Sequence, residues 1–178
     1  MTSIRDPEEA WRVHVEESLA AVSVVERFEG PIVDVGSGGG APGIPLAAVL
    51  PAREVTLLES SARKCDFLAL VARGFPNVSV VRGRAEEQGN DRFGVAVAKA
   101  LATPPVAAEW CLPLVRPGGA VVLYVGPSAD AEAVSRVAAK LAGGTPEGHE
   151  GLLIVPKLGP TPPGFPRRPG MARKRPLA

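Results

Sequence analysis

The run Val33-Asp34-Val35-Gly36-Ser37-Gly38-Gly39-Gly40-Ala41-Pro42-Gly43 confines this chain to a narrow set of folds. An apolar strand, Pro31 to Val35, empties into a glycine loop that feeds an alanine- and leucine-rich segment, Ile44 to Leu50. Glycines at 36, 38 and 40 let the backbone turn tightly and bring its N–H groups against a ligand, where any Cβ would collide. Further on, Val55-Thr56-Leu57-Leu58-Glu59 reads as the next strand and ends on a carboxylate. That pairing is the layout of an α/β site for a nucleoside, with the acid on the ribose hydroxyls.

The same rhythm continues to the end. Strands are expected at 31–35, 54–59, 78–82, 94–99, 119–125 and 152–155, with helices at 43–50, 62–73, 104–114 and 130–142. Such alternation specifies α/β architecture with a doubly wound, mostly parallel sheet of Rossmann-like type. Asp6-Pro7-Glu8-Glu9 starts an earlier helix, with Asp6 as N-cap, Pro7 in the first turn and Glu9 at the capping-box position. Trp11, Val15, Leu19 and Val22 recur at helical spacing, which predicts that this helix lies against the sheet. Residues 143–151 read as a loop. The expected organisation is one domain over 1–155, including an N-terminal helix within 1–29, and a proline-rich basic tail over 156–178.

At 178 residues the chain is long enough for one substantial core. It has no apolar run of ~18 residues and no secretory leader pattern, so the expected location is the cytoplasm, away from membranes. Cys65 and Cys111 lack metal-ligand spacing and read as small buried thiols; no metal is expected. The net charge of +1 hides an asymmetry. From Pro156 to Ala178 stand Lys157, Arg167, Arg168, Arg173, Lys174 and Arg175 with no acid, so the remaining body is acidic. Seven prolines in that stretch predict extended chain. An acidic body with a basic arm points to a polyanionic partner, nucleic acid first; the alternative is an ordinary solubilising tail.

The loop alone also satisfies a dinucleotide fingerprint, Gly36-x-Gly38-x-x-Ala41. Three features favour S-adenosylmethionine (SAM) instead. Asp34 makes the pattern Asp-x-Gly-x-Gly-x-Gly of class I SAM methyltransferases, where the acid holds the methionine ammonium directly or through water. Pro42 and Pro45 crowd the helix start, where a dinucleotide site needs a clean N-terminus facing pyrophosphate. Arg116-Pro117-Gly118-Gly119 resembles the turn before strand five in those enzymes.

Within that class, Gly38 to Leu46 (Gly-Gly-Gly-Ala-Pro-Gly-Ile-Pro-Leu) resembles the RsmG family, also called glucose-inhibited division protein B. Thr2-Ser3-Ile4-Arg5-Asp6-Pro7-Glu8-Glu9 with His14 and Ser18-Leu19 is similar to its approach to the first strand. Leu57-Leu58-Glu59-Ser60 with Arg63-Lys64 and Phe67-Leu68, Asn77-Val78 with Arg84-Ala85-Glu86-Glu87, and Pro166-Arg167-Arg168-Pro169-Gly170 with Lys174 continue the match in order. The resemblance implies a class I SAM-dependent methyltransferase that modifies N7 of a guanine in 16S ribosomal RNA, working as a monomer on the small ribosomal subunit. It implies that Gly36, Gly38, Gly40 and Ala41 line the SAM pocket beside Asp34, that Glu59 takes the ribose, and that Ala85 and Glu86 flank the adenine. Lys99 would stand near the methyl donor and the incoming base, as the candidate catalytic and cofactor-binding residue. Arg63, Lys64, Arg167, Arg168, Arg173 and Lys174 would bind RNA phosphate. The chain departs from the family pattern at Lys99, where arginine is usual, and at Val125-Gly126, where lysine precedes the glycine. It is also expected to be short at the N-terminus, where the family carries a helical extension.

Guanine N7 has a free lone pair and needs no general base, which agrees with a chain that has only two distant histidines, His14 and His149. For stacking a target base the sequence offers little besides Phe165. Two alternatives stay open on the residues: a SAM methyltransferase for a small molecule or protein, and a non-catalytic SAM- or RNA-binding paralogue.

Overall fold

The computed structural model describes residue 4 and residues 6–178. Thr2, Ser3 and Arg5, part of the N-terminal stretch similar to the RsmG family, lie outside the described residues. Among the described residues seven strands form one sheet: β1 (Ile32–Val35), β2 (Val55–Glu59), β3 (Val78–Arg82), β4 (Phe93–Lys99), β5 (Val115–Tyr124), β6 (Glu147–His149) and β7 (Leu152–Pro156). Their spatial order is β3-β2-β1-β4-β5-β7-β6. β1 to β5 are parallel, whereas β7 runs antiparallel to β5 and β6 antiparallel to β7. The central strands are mostly apolar because helices cover both their faces: β1, Asp34 included, is buried throughout and β4 from Phe93 to Ala98. Chain direction across the sheet reverses between β1 and β4, and a doubly wound sheet gathers its ligands at the carboxyl edge of that switch point.

The helices are α1 (Pro7–Trp11), α2 (Glu17–Leu19), α3 (Val22–Val25), α4 (Gly43–Val49), α5 (Ala62–Ala72), α6 (Pro104–Cys111), α7 (Ala131–Lys140) and α8 (Met171–Lys174). Asp6 caps α1 by accepting from the Glu9 amide at 3.0 Å, and Asp130 caps α7 by accepting from the Ala133 amide at 2.8 Å. One core layer joins Val33, Val35 and Leu58 to α6 and α7 through Trp110, Cys111, Val134 and Val137. The other joins Ile32, Leu57, Val95 and Val97 to α3 and α4 through Val24, Val25 and Leu46.

Three expectations change. The N-terminal helix is interrupted by a π-helical turn, Arg12–Glu16. A π turn adds a residue and rotates everything beyond it, so the buried face is Ser18, Ala21, Val24 and Val25, while Trp11 is 59% exposed. Within the expected 143–151 loop, Glu147–His149 forms an edge strand; its exposed Glu-Gly-His carries no apolar alternation by which to recognise it. The basic tail is no free arm. Mostly irregular chain folds back over the body, with Ala172 at 2% exposure and Phe165 and Leu177 packed on the core. Phe165 is therefore not a free stacking surface. Its anchor is Lys157, fully buried, whose ammonium donates to Leu112 O at 2.9 Å and Thr161 Oγ1 at 2.8 Å beside Asp91 at 3.5 Å.

Candidate cofactor pocket and acceptor cavity

The glycine loop is fixed from below. Gly36 and Ser37 donate their amides to Leu58 O at 2.8 and 3.2 Å, Ser37 Oγ donates to Asp34 O at 2.8 Å, and the Gly40 amide closes the turn on Ser37 O at 2.7 Å. Gly36, Gly38 and Gly40 take φ of +74°, +57° and +100°, a region that side-chain-bearing residues rarely adopt. Gly43 is required for a different reason. Its amide donates to Asp34 Oδ2 at 3.0 Å, and a Cβ there would stand 2.3 Å from Leu57 Cδ2.

Asp34 is 1% exposed, and its second oxygen, Oδ1, has no hydrogen-bond partner among the described residues. Burial pushes its carboxyl up to about 7 from 3.8, only partly offset by the Gly43 amide. A buried carboxylate oxygen without a donor is costly. The ammonium of an amino-acid ligand would supply one.

Glu59 ends β2 as expected and is 5% exposed. Its Oε2 accepts from the Gly38 amide at 3.0 Å and its Oε1 from the Ser61 amide at 2.9 Å, with Lys64 Nζ 3.7 Å from Oε2. Burial alone would raise this carboxyl; the two amides and Lys64 outweigh it and hold it below the ordinary glutamate value.

Asp34 and Glu59 do not themselves line the adjoining pocket of about 230 Å³, but their chain neighbours Val35, Gly36, Leu58 and Ser60 do, together with Ala85, Glu86, Leu101, Trp110, Gly170 and Arg173. Three sequence-derived candidates, Gly36, Ala85 and Glu86, meet there. Half-buried Ala41 and buried Gly40 stand at the start of α4. Glu86 also has a structural task, since its Oε1 accepts from the Gly170 amide at 3.0 Å. No local motif marks the walls supplied by Trp110, Gly170 and Arg173, because two of them arrive from the folded-back tail.

Lys99 lines a different cavity, with Glu17, Ala20, Ala100, Tyr124, Val125 and Glu150. Its ammonium pairs with Glu17 Oε2 at 3.0 Å, donates to Val13 O and lies 5.8 Å from the centroid of the Tyr124 ring. Tyr124 Oη in turn donates to Ser18 O at 2.5 Å. The N-terminal helix is thus fastened across the carboxyl edge of β4 and β5. Lys99 and Ala100 belong to this cavity and Leu101 to the other, so the end of β4 is their shared wall.

The candidate RNA contacts divide into two groups. Arg63, Arg168 and Lys174 are exposed, and Lys64 leans over Glu59. Arg167 does not fit the expected role: its Nε and Nη2 clasp Glu109 at 2.6 and 2.7 Å, and Nη2 also donates to Arg175 O at 2.9 Å. Glu109 is 4% exposed on α6, so Arg167 neutralises a buried carboxylate. Arg173, also exposed, lines the pocket, over the Trp110 ring at 5.1 Å and donating to Leu101 O at 3.3 Å. Among the described residues there is no cluster of metal-ligating side chains, and no helix is long and apolar enough to cross a membrane.

Comparison with known proteins places these features in context. Residues 1–144 match the family model GidB, described as rRNA small subunit methyltransferase G. Ribosomal RNA small subunit methyltransferase G of Moorella thermoacetica is 39% identical, the match covering 99% of this chain and 82% of that protein. The protein of the same name from Rubrobacter xylanophilus is 38% identical, over 97% of this chain and 75% of its own. Among solved structures, a SAM-dependent O-methyltransferase from Thermotoga maritima superposes with a TM-score of 0.62 at 16% identity, covering 89% of this chain and 68% of that one. A predicted O-methyltransferase from Agrobacterium tumefaciens gives 0.64 at 19% identity, covering 78% of each. At such identities these likenesses establish the fold, which is the class I methyltransferase sheet.

Proposed function

Since the chain belongs to the GidB family of small-subunit rRNA methyltransferases, we propose that it is a SAM-dependent enzyme that methylates N7 of a guanine in 16S rRNA. The observation that carries the cofactor assignment is the pairing of two carboxylates about one glycine loop: Glu59 at its lip and Asp34, with an orphaned oxygen, beneath it. These residues fit SAM. Glu59 would take the ribose hydroxyls, Ala85 and Glu86 the adenine, Gly36, Gly38, Gly40 and Ala41 the backbone of the cradle, and Asp34 the ammonium. When bound, the cofactor supplies a methyl group on a sulfonium, an electrophile ready for a lone pair.

What the chain must add is orientation and exclusion of water. Leu101 seals Gly36 so closely that a Cβ there would come within 2.4 Å of Leu101 Cδ1. Lys99 ends β4 in the neighbouring cavity, where its ammonium can donate to O6 of an acceptor guanine and leave N7 free to attack. Glu17 and the Val13 carbonyl hold that ammonium while no base is present. N7 carries no proton, so no group in the cavity need act as a base. Exposed Arg63, Arg168 and Lys174, with Lys64, supply phosphate contacts for a rRNA partner. We take the protein to act as a monomer in the cytoplasm, where ribosomal subunits are available.

The test is transfer of label from SAM to small ribosomal subunits of a strain lacking the modification, followed by nucleoside analysis. Label in 7-methylguanosine is the expected result. Label in another nucleoside overturns the N7 assignment, and SAM binding without any transfer overturns catalysis.

A further inference from the structure

The tail carries more than phosphate contacts. Its path is pinned at successive points: Lys157 in its buried network, Arg167 on Glu109, the Gly170 amide on Glu86 Oε1, and Ala172 in the core. At the Gly170 pin and just past Ala172, Gly170 and Arg173 form a wall of the pocket that also contains Gly36, Ala85 and Glu86. Arg173 is held there in two directions, by the face of Trp110 at 5.1 Å and by Leu101 O at 3.3 Å. Leu101 is the residue whose side chain packs on Gly36. One guanidinium, on an otherwise exposed residue, therefore braces the rim of the pocket that it lines.

We infer that Arg173 is a cofactor-binding residue, specific for the adenosine end of SAM. The inference rests on the cofactor reading above and extends it. Charge decides which end of the ligand it meets. The sulfonium and ammonium of SAM are cationic and repel a guanidinium, whereas the adenine edge offers ring-nitrogen acceptors and a π face that suit one. The position agrees, because Arg173 shares its pocket with Ala85 and Glu86, and the orphaned carboxylate Asp34 stands under the loop instead. A residue that resembled a general phosphate contact thereby becomes a determinant of cofactor affinity in the absence of RNA.

The experiment is calorimetric titration of SAM, S-adenosylhomocysteine and adenosine, without RNA, into wild-type protein and the variants Arg173→Ala, Arg173→Lys and Arg175→Ala, with thermal unfolding as a check. Arg173→Ala is expected to weaken all three ligands by a similar factor, about five- to tenfold. Arg173→Lys should recover part of the loss, since it keeps the charge but lacks the fork. Arg175→Ala, exposed and outside the pocket, should change none of them. Unchanged affinity in Arg173→Ala overturns the inference, as does an equal loss in Arg175→Ala, which would trace the effect to overall charge. A loss for SAM with adenosine untouched also overturns it, because the contact would then lie at the other end. Wild-type protein that takes up none of the three overturns the cofactor reading and this inference with it.

Discussion

The amide of Gly38 donates to Oε2 of Glu59 across 3.0 Å, joining two residues 21 apart in sequence. The bond ties the crest of the glycine loop to the end of the neighbouring strand. The carboxylate proposed to receive the ribose thus also sets the shape of the loop that holds the rest of the cofactor.

Substitution at Glu59 should therefore act twice. Glu59→Ala removes the ribose acceptor and frees the Gly38 and Ser61 amides, so SAM affinity is expected to fall at least several-fold. Thermal stability should fall as well, by about 1–2 kcal/mol for the lost charge-assisted hydrogen bonds. Glu59→Gln keeps an acceptor and should be the milder change. Calorimetry and thermal unfolding read the two effects separately, and unchanged SAM affinity in Glu59→Ala would remove Glu59 from the site.

Asp34 imposes a pH dependence of known sign. Its folded carboxyl lies at about 7 against 3.8 for an ordinary aspartate, chiefly through burial. Between those values the folded protein holds a proton that the unfolded chain releases. Its contribution to stability is full below about pH 4 and is lost as pH rises through about 7, with a slope on the order of 1 kcal/mol per pH unit. Denaturant titrations across that range should show the slope in wild type and its absence in Asp34→Asn. A cationic ligand group at Oδ1 favours the deprotonated form, so SAM affinity should climb toward pH 7. It should fall again as the ligand's own amino group deprotonates near ~8. A flat profile from pH 5 to 7 would separate Asp34 from the ammonium.

The two arginines at 167 and 168 should behave as different kinds of residue. Arg167→Ala strands buried Glu109 without its partner and is expected to cost about 3 kcal/mol of stability. Arg168→Ala removes an exposed charge and should leave the melting temperature in place. Its effect should be on rRNA, lowering affinity and reducing the slope of log K against log salt by about one. A salt-dependent RNA defect in a fully stable Arg167→Ala would reverse the assignment.

Local chemistry made the centre of this molecule legible. β1, β2 and β4 are mostly apolar, the loop has glycine where φ is positive, and Glu59 stands where the next strand ends; each signal lies within a few residues of the structure that it specifies. The periphery obeys longer-range terms. The π turn at Arg12–Glu16 shifts the helical phase by a residue, which puts Trp11 in solvent despite its place in the stripe. Lys157 and Arg167 read as solvated charges among prolines, yet each pairs with an acid far away in sequence, Asp91 and Glu109. Composition cannot show such partners. For the same reason the sequence shows that Lys99 ends a strand but not that it is tied to Glu17.

The Gly170–Glu86 hydrogen bond spans 84 residues, Lys99 reaches Val13 across 86, and Tyr124 reaches Ser18 across 106. Each closes a long loop whose entropy must be met before the contact returns anything. Neighbouring parallel strands can dock over shorter separations, so the sheet can assemble while both cavities are still open on one side. The contacts that complete the site are thus among those with the highest loop-closure cost, and they bring the tail and the first helix to the same edge of the sheet.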